Sequence, residues 1–154
     1  MLAQGDRLPS LTVLDDEGNA VSTAELPGNW LVLYFYPKDD TPGCTSEASQ
    51  FRDLYKQFVR KDARIVGVSR DTPESHRKFK AKFSIPFALL ADTESKLCDA
   101  FGVIVEKTMY GKKRKGVARA TFLIDRTGTI VKTWPKVNVD EHAEDVLASL
   151  PEPG

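Results

Sequence analysis

Hydrophobic positions fall into short unbroken runs separated by helical stripes. Leu31-Val32-Leu33-Tyr34-Phe35 and Arg64-Ile65-Val66-Gly67-Val68-Ser69 read as strands buried on both faces, and Phe87-Ala88-Leu89-Leu90-Ala91 as a third, shorter one. Leu11-Thr12-Val13-Leu14 and Ala20-Val21 flank Glu17-Gly18-Asn19, a small hairpin. Ala120–Asp125 and Thr129–Trp134 around Arg126-Thr127-Gly128 predict a second hairpin. Between the runs the period changes to that of a helix. Cys44, Ala48, Phe51, Tyr55 and Phe58 share one face. Thr72 caps a helix with Pro73 in its first turn and Phe79 and Phe83 inward. A helix from about Ser95 turns Leu97, Cys98 and Phe101 inward and stops at Gly102. The last stripe, Val139, Ala143, Val146, Leu147 and Leu150, predicts three amphipathic turns.

This order makes an α/β fold with a mixed central sheet. The 154 residues suit a single domain spanning residues 1–154, with no repeat and no low-complexity linker. Acidic and basic residues balance at 22 each, so no global field draws nucleic acid or an anionic membrane. The first residues, MLAQGDRLPS, lack the basic and apolar segments of a secretory signal, and no apolar run is long enough to span a bilayer. Two cysteines in a chain of this size do not make a disulfide framework. The expectation is a soluble cytoplasmic protein without cofactor or metal. His76 and His142 lack metal-ligand spacing and read as solvated helix residues. Lys112-Lys113-Arg114-Lys115 reads as a solvated loop, and Trp30 and Trp134 as packing residues.

The chemistry concentrates where the first buried run hands over to a helix. After Pro37 the chain passes through Lys38-Asp39-Asp40-Thr41 and reaches Pro42-Gly43-Cys44. Pro42 suits the first helical turn, where its missing N–H costs nothing. Gly43 lets another group approach the backbone closely. A thiol in that turn meets unsatisfied N–H groups and the positive end of the helix dipole, both of which favour a nucleophilic thiolate.

Pro37-x-x-x-Thr41-x-x-Cys44 resembles the active-site signature of peroxiredoxins. The longer string Phe35-Tyr36-Pro37-Lys38-Asp39-x-Thr41-Pro42-Gly43-Cys44-Thr45 is similar to the bacterioferritin comigratory protein, or peroxiredoxin Q, branch. The likeness continues through Arg119-Ala-Thr-Phe-Leu-Ile-Asp125 and covers nearly the whole chain. It implies a thioredoxin-like fold with an N-terminal β-hairpin, and a thiol peroxidase acting on hydrogen peroxide and organic hydroperoxides. It also implies that Cys44 is the nucleophile, that Thr41 places its hydroxyl on the peroxide, and that the Gly43 and Cys44 backbone N–H groups complete the cradle. Pro37 would shield the pocket from water, and Arg119 matches the family arginine. Glu47 has two readings, a carboxylate suited to a helix start or a partner that orients Arg119, and both stay open.

Many members of the branch carry a resolving cysteine five residues after the first, where this chain has Ser49. Cys98, beside Leu97 and Phe101, fits an inert core thiol better than a resolving one. The expectation is a one-cysteine mechanism in a monomer, with an external thiol such as thioredoxin, glutaredoxin or a small thiol as reductant. A thioredoxin-type oxidoreductase would want Cys-x-x-Cys, whereas Cys44 is followed by Thr45-Ser46-Glu47. A non-enzymatic interaction or chaperone module would have no use for Thr41 and Arg119 together.

Overall fold

The computed structural model describes residues 1–152. Strands β1 (Thr12–Asp15) and β2 (Ala20–Ser22) form the expected hairpin, and a short 3-10 turn at Thr23–Glu25 leads to β3 (Trp30–Phe35). Then follow α1 (Pro42–Asp53), α2 (Tyr55–Arg60), β4 (Ala63–Ser69), α3 (Pro73–Phe83), β5 (Ala88–Ala91) and α4 (Lys96–Phe101). The chain closes with β6 (Ile104–Met109), β7 (Lys112–Val117), β8 (Ala120–Ile124), β9 (Ile130–Trp134) and α5 (His142–Ala148).

Seven strands form one mixed sheet in the order β2-β1-β5-β4-β3-β8-β9. β3, β4 and β5 run parallel, joined by helical crossovers, while β8 returns antiparallel against β3. The unbroken apolar run in β3 reflects burial on both faces. Leu31, Leu33 and Phe35 face one core layer with α4, while Val32, Tyr34 and Tyr36 face another with α1, α2, α3 and α5. At about 25 cal/mol per Å² of apolar surface, these two layers are the main source of stability.

Four sequence expectations need correction. The stripe from Cys44 to Phe58 is not one helix, because Leu54 leaves helical geometry (φ −101, ψ 5) and separates α1 from α2. The last helix begins only at His142, after a left-handed Glu141, so Val139 lies outside it. Lys112–Lys115 belongs to β7, which pairs with β6 as a separate two-stranded ribbon. Its exposed, charged positions hid the strand from a pattern search that looks for a buried face. Finally, His76 and His142 are buried, at 0% and 4% exposure. Each is held by polar partners far away in sequence.

The helix signals held elsewhere. Thr72 accepts a hydrogen bond from the Ser75 backbone N–H at 3.1 Å, and α3 ends at a left-handed Ser84, before Pro86. Gly102 closes α4 at φ +70, as the αL stop requires.

Candidate active site

β3 ends at Phe35, and the Tyr36 N–H still bonds the Val68 carbonyl of the neighbouring strand at 3.0 Å. The loop 37–41 then turns through a left-handed Asp40 (φ 57) into α1. Thr41 is the N-cap residue in extended geometry and Pro42 lies in the first turn. The Thr41 hydroxyl donates to the Lys38 carbonyl at 2.9 Å instead of capping the helix. Cys44 therefore sits in the first turn, 2% exposed, in the same core layer as Ala48 and Phe51.

The β8 register decides what meets it. Ala120 pairs with Phe35, so Arg119, the next residue outward, arrives at the end of β3 where the thiol lies. Arg119 Nη2 stands 3.4 Å from Cys44 Sγ, and Nη1 donates to Glu47 Oε1 at 2.8 Å. The close approach expected at Gly43 is made by this guanidinium. A Cβ there would lie 2.9 Å from Arg119 Nη2, so only glycine leaves the fork room over the helix start.

Glu47 is 1% exposed and its Oε2 has no hydrogen-bond partner among the described residues. Burial pushes its pKa up to about 7, against the opposing pull of Arg119. The two partners answer burial differently. At Arg119 burial opposes the charge, but Glu47 and the Cys44 sulfur outweigh it and the pKa lies above the ordinary arginine value. Of the two readings of Glu47 in the sequence, the contact is the one that holds Arg119. Tyr34 Oη, in the same core layer as Cys44, is also buried and has no hydrogen-bond partner among the described residues. Burial first, then Glu47 and Cys44, keep the phenol well above its ordinary pKa. The Tyr34 ring stacks on Phe51 at 4.9 Å between centroids.

Gly43, Cys44, Glu47 and Arg119 thus meet at the carboxyl end of β3, with Pro37 and Thr41 on the loop that leads from β3 into α1. The other residues singled out in the sequence do not join them. Ser49 lies further along the same continuous helix, half-buried. Cys98 belongs to the opposite core layer with Leu97 and Phe101. Burial, reinforced by the Asp92 carboxylate, raises its thiol pKa well beyond the ordinary value. Both cysteines are free thiols.

Sequence reasoning missed a buried polar cluster behind the loop, built on Asp39 and His76. Asp39 accepts from Tyr36 Oη at 2.6 Å and lies 2.7 Å from His76 Nδ1. Among the described residues, Asp39, Asp71 and His76 bring ligand-type atoms within 4.8 Å of one another, but hydrogen bonds with protein groups engage them. His142 was missed too. Its Nε2 pairs with Thr121 Oγ1 at 2.8 Å, and burial brings its pKa down to about 4, with Asp145 pulling the other way and Arg119 adding to the fall. No local signal marked either histidine, because their partners lie 37 and 21 residues away.

The AhpC/TSA family profile matches residues 4–133. The putative peroxiredoxin bcp of Coxiella burnetii is 46% identical over 146 residues, 95% of this chain and 97% of that one. Peroxiredoxin Bcp of Bacillus subtilis is 47% identical over 146 residues, 95% of this chain and 93% of that one. Among solved structures, a cysteine-to-serine mutant of Xylella fastidiosa PrxQ superposes with a TM-score of 0.90 at 41% identity, covering 96% of this chain and 94% of that one. A Xanthomonas campestris bacterioferritin comigratory protein, studied for alkyl peroxide reduction, gives 0.86 at 43% identity, covering 94% and 96%.

Proposed function

Because the chain belongs to the AhpC/TSA family and is a thiol peroxidase of the peroxiredoxin kind, drawing on a peroxide and a thiol reductant, we propose that Cys44 is its nucleophile and works without a resolving cysteine. The thiolate attacks the nearer oxygen of hydrogen peroxide or an organic hydroperoxide. An S–O bond forms as the O–O bond breaks, and the departing hydroxide or alkoxide takes a proton to leave as water or alcohol. Cys44 is left as the sulfenic acid. An external thiol displaces water from it to give a mixed disulfide, and a second thiol releases the reduced enzyme and a disulfide product.

The observation that carries this reading is the Arg119 guanidinium 3.4 Å from Cys44 Sγ at a helix start. A cation and first-turn N–H groups favour negative sulfur and the negative charge that grows on the leaving oxygen. Arg119 and the Gly43 and Cys44 N–H groups are given that second task, Thr41 the orientation of the peroxide, and Pro37 the exclusion of water. Glu47 acts through Arg119 by fixing its fork. The one-cysteine part is supported by Ser49 at the branch position and by Cys98 lying across the sheet from Cys44. We further infer a monomeric, single-domain enzyme of the cytoplasm whose reductant is thioredoxin, glutaredoxin or a small thiol.

One equivalent of hydrogen peroxide followed by dimedone, read by mass spectrometry, should put a single adduct on Cys44 and leave Cys98 free. Cys44→Ser should lose both the adduct and rapid peroxide consumption, since a hydroxyl is a poor nucleophile at neutral pH. A Cys44–Cys98 disulfide in good yield would overturn the one-cysteine reading. Retained peroxide turnover in Cys44→Ser would overturn the nucleophile.

A further inference from the structure

The loop between β3 and α1 carries a carboxylate turned inward. Asp39 is 7% exposed, and its two oxygens meet three side chains. Tyr36 Oη donates to Oδ1 at 2.6 Å, Ser75 Oγ donates to Oδ2 at 2.8 Å, and His76 Nδ1 lies 2.7 Å from Oδ2. The His76 ring is fully buried and its Nε2 faces the Leu90 carbonyl at 2.9 Å. A carbonyl only accepts, so Nε2 carries a hydrogen. One further hydrogen bridges Nδ1 and Asp39, and both bonds lie inside the buried interior. The Asp39 backbone N–H is tied as well, donating at 2.9 Å to Asp71 Oδ2, which also takes the Ser69 hydroxyl at 2.6 Å.

This cluster pins the loop to α3, to the ends of β3 and β4, and to β5. The residue before Asp39 passes the restraint onward. The Lys38 carbonyl accepts from the Thr41 hydroxyl, and the Thr41 carbonyl accepts from the Thr45 N–H at 2.8 Å, within the turn that presents Cys44. The ring nitrogens of His76 are engaged by Tyr36, Asp39 and Leu90, not by the sulfur or Arg119, and His76 has no part in the chemistry described above. Yet a shift of Asp39 displaces Lys38, and with it Thr41 and the first turn of α1.

We propose that His76 is a positioning residue that, through Asp39, clamps the loop 37–41 in the conformation suited to the peroxide step and so restrains access of bulkier thiols to the oxidised sulfur. The inference rests on the reading of Cys44 as nucleophile and Thr41 as the peroxide-orienting group. Cys44 is only 2% exposed, so a bulky thiol needs the turn to loosen more than hydrogen peroxide, with its two heavy atoms, does. The clamp therefore acts in opposite directions on the two halves of the cycle.

The test uses His76→Leu, which fills the space but bonds neither Asp39 nor Leu90. Asp39→Ala approaches the same contact from the other side, so either variant suffices if its partner fails to fold. Two single-turnover rates are read: consumption of hydrogen peroxide, and capture by dimedone, a larger reagent, of the sulfenic acid on Cys44. The peroxide rate should fall about 10- to 100-fold, the scale of a group misplaced by ~1 Å. Dimedone capture should rise several-fold. Cys98→Ser, which perturbs the other face of the sheet, should move neither rate; if it reproduces the pattern, the effect is general destabilisation and the clamp is overturned. Rates that stay unchanged in both clamp variants, or fall together, also overturn it while leaving Cys44 in place. A wild-type protein with no dimedone adduct on Cys44 fails earlier, at the nucleophile, and takes the inference with it.

Discussion

Glu47→Gln isolates the buried charge that holds Arg119. Glutamine keeps the shape of the side chain and an oxygen for Arg119 Nη1, now at 2.8 Å from Oε1. Its amide falls where Oε2 already lacks a partner, so one buried group is unbonded in either protein. Two quantities then change in opposite directions. A charge-assisted hydrogen bond exceeds a neutral one by about 1 kcal/mol, so a fork held by glutamine should slow the peroxide step about fivefold where Glu47 is ionised. Stability moves the other way. Burial raises the Glu47 pKa to about 7 from a reference of 4.5, so the folded protein holds the proton more tightly than the unfolded chain. Wild-type stability relative to the variant therefore falls as pH rises from about 4.5 to about 7, and is level outside that window. At ~1.4 kcal/mol per pKa unit the full difference is about 3 kcal/mol, an upper bound because Arg119 is 19% exposed. Titration of His142 and other groups is common to both proteins and cancels. The assay is chemical denaturation and stopped-flow peroxide consumption for both proteins from pH 4.5 to 8.5. The rate ratio should be near one at acid pH and climb through about pH 7, while the stability difference grows in favour of glutamine. A flat stability difference across the window, or equal rates at pH 8, refutes the reasoning.

Gly43→Ala places a methyl 2.9 Å from Arg119 Nη2 without backbone strain, and the end of a flexible side chain can yield. Thermal stability should hold, while peroxide consumption falls about tenfold as the fork is pushed off the sulfur; an unchanged rate would separate the guanidinium from the chemistry. Cys98→Ser should lower stability by ~1 kcal/mol, about 2–4 °C in Tm, for a hydroxyl placed in an apolar layer, with the first peroxide turnover intact. A slowed first turnover measured by stopped flow would tie Cys98 to the site.

The local half of this protein is legible in its residue order. β3, β4 and β5 announce themselves because a strand buried on both faces must be apolar throughout, and the helix start at Pro42-Gly43-Cys44 because the conformational restriction of proline is local. Arg119 was legible through a family string, not through any property of arginine. What tertiary structure alone decided is who meets whom. The register that sets Ala120 against Phe35 brings Arg119 to Cys44 across 75 residues, and Glu47 becomes a buried partner only because that fork arrives. His76 and His142 read as solvated helix positions because a lone polar residue carries no period. Their burial depends on Asp39 and Thr121, supplied by other elements. Cys44 and Cys98 look like a candidate pair in one dimension, yet their helices α1 and α4 pack on opposite faces of the sheet, which sends them to opposite layers of the core. Sequence pattern determines conformation through short-range sterics and hydrogen bonding. Charge burial, proton affinity and contact across the sheet depend on the packed arrangement, in which distant groups exclude water from one another.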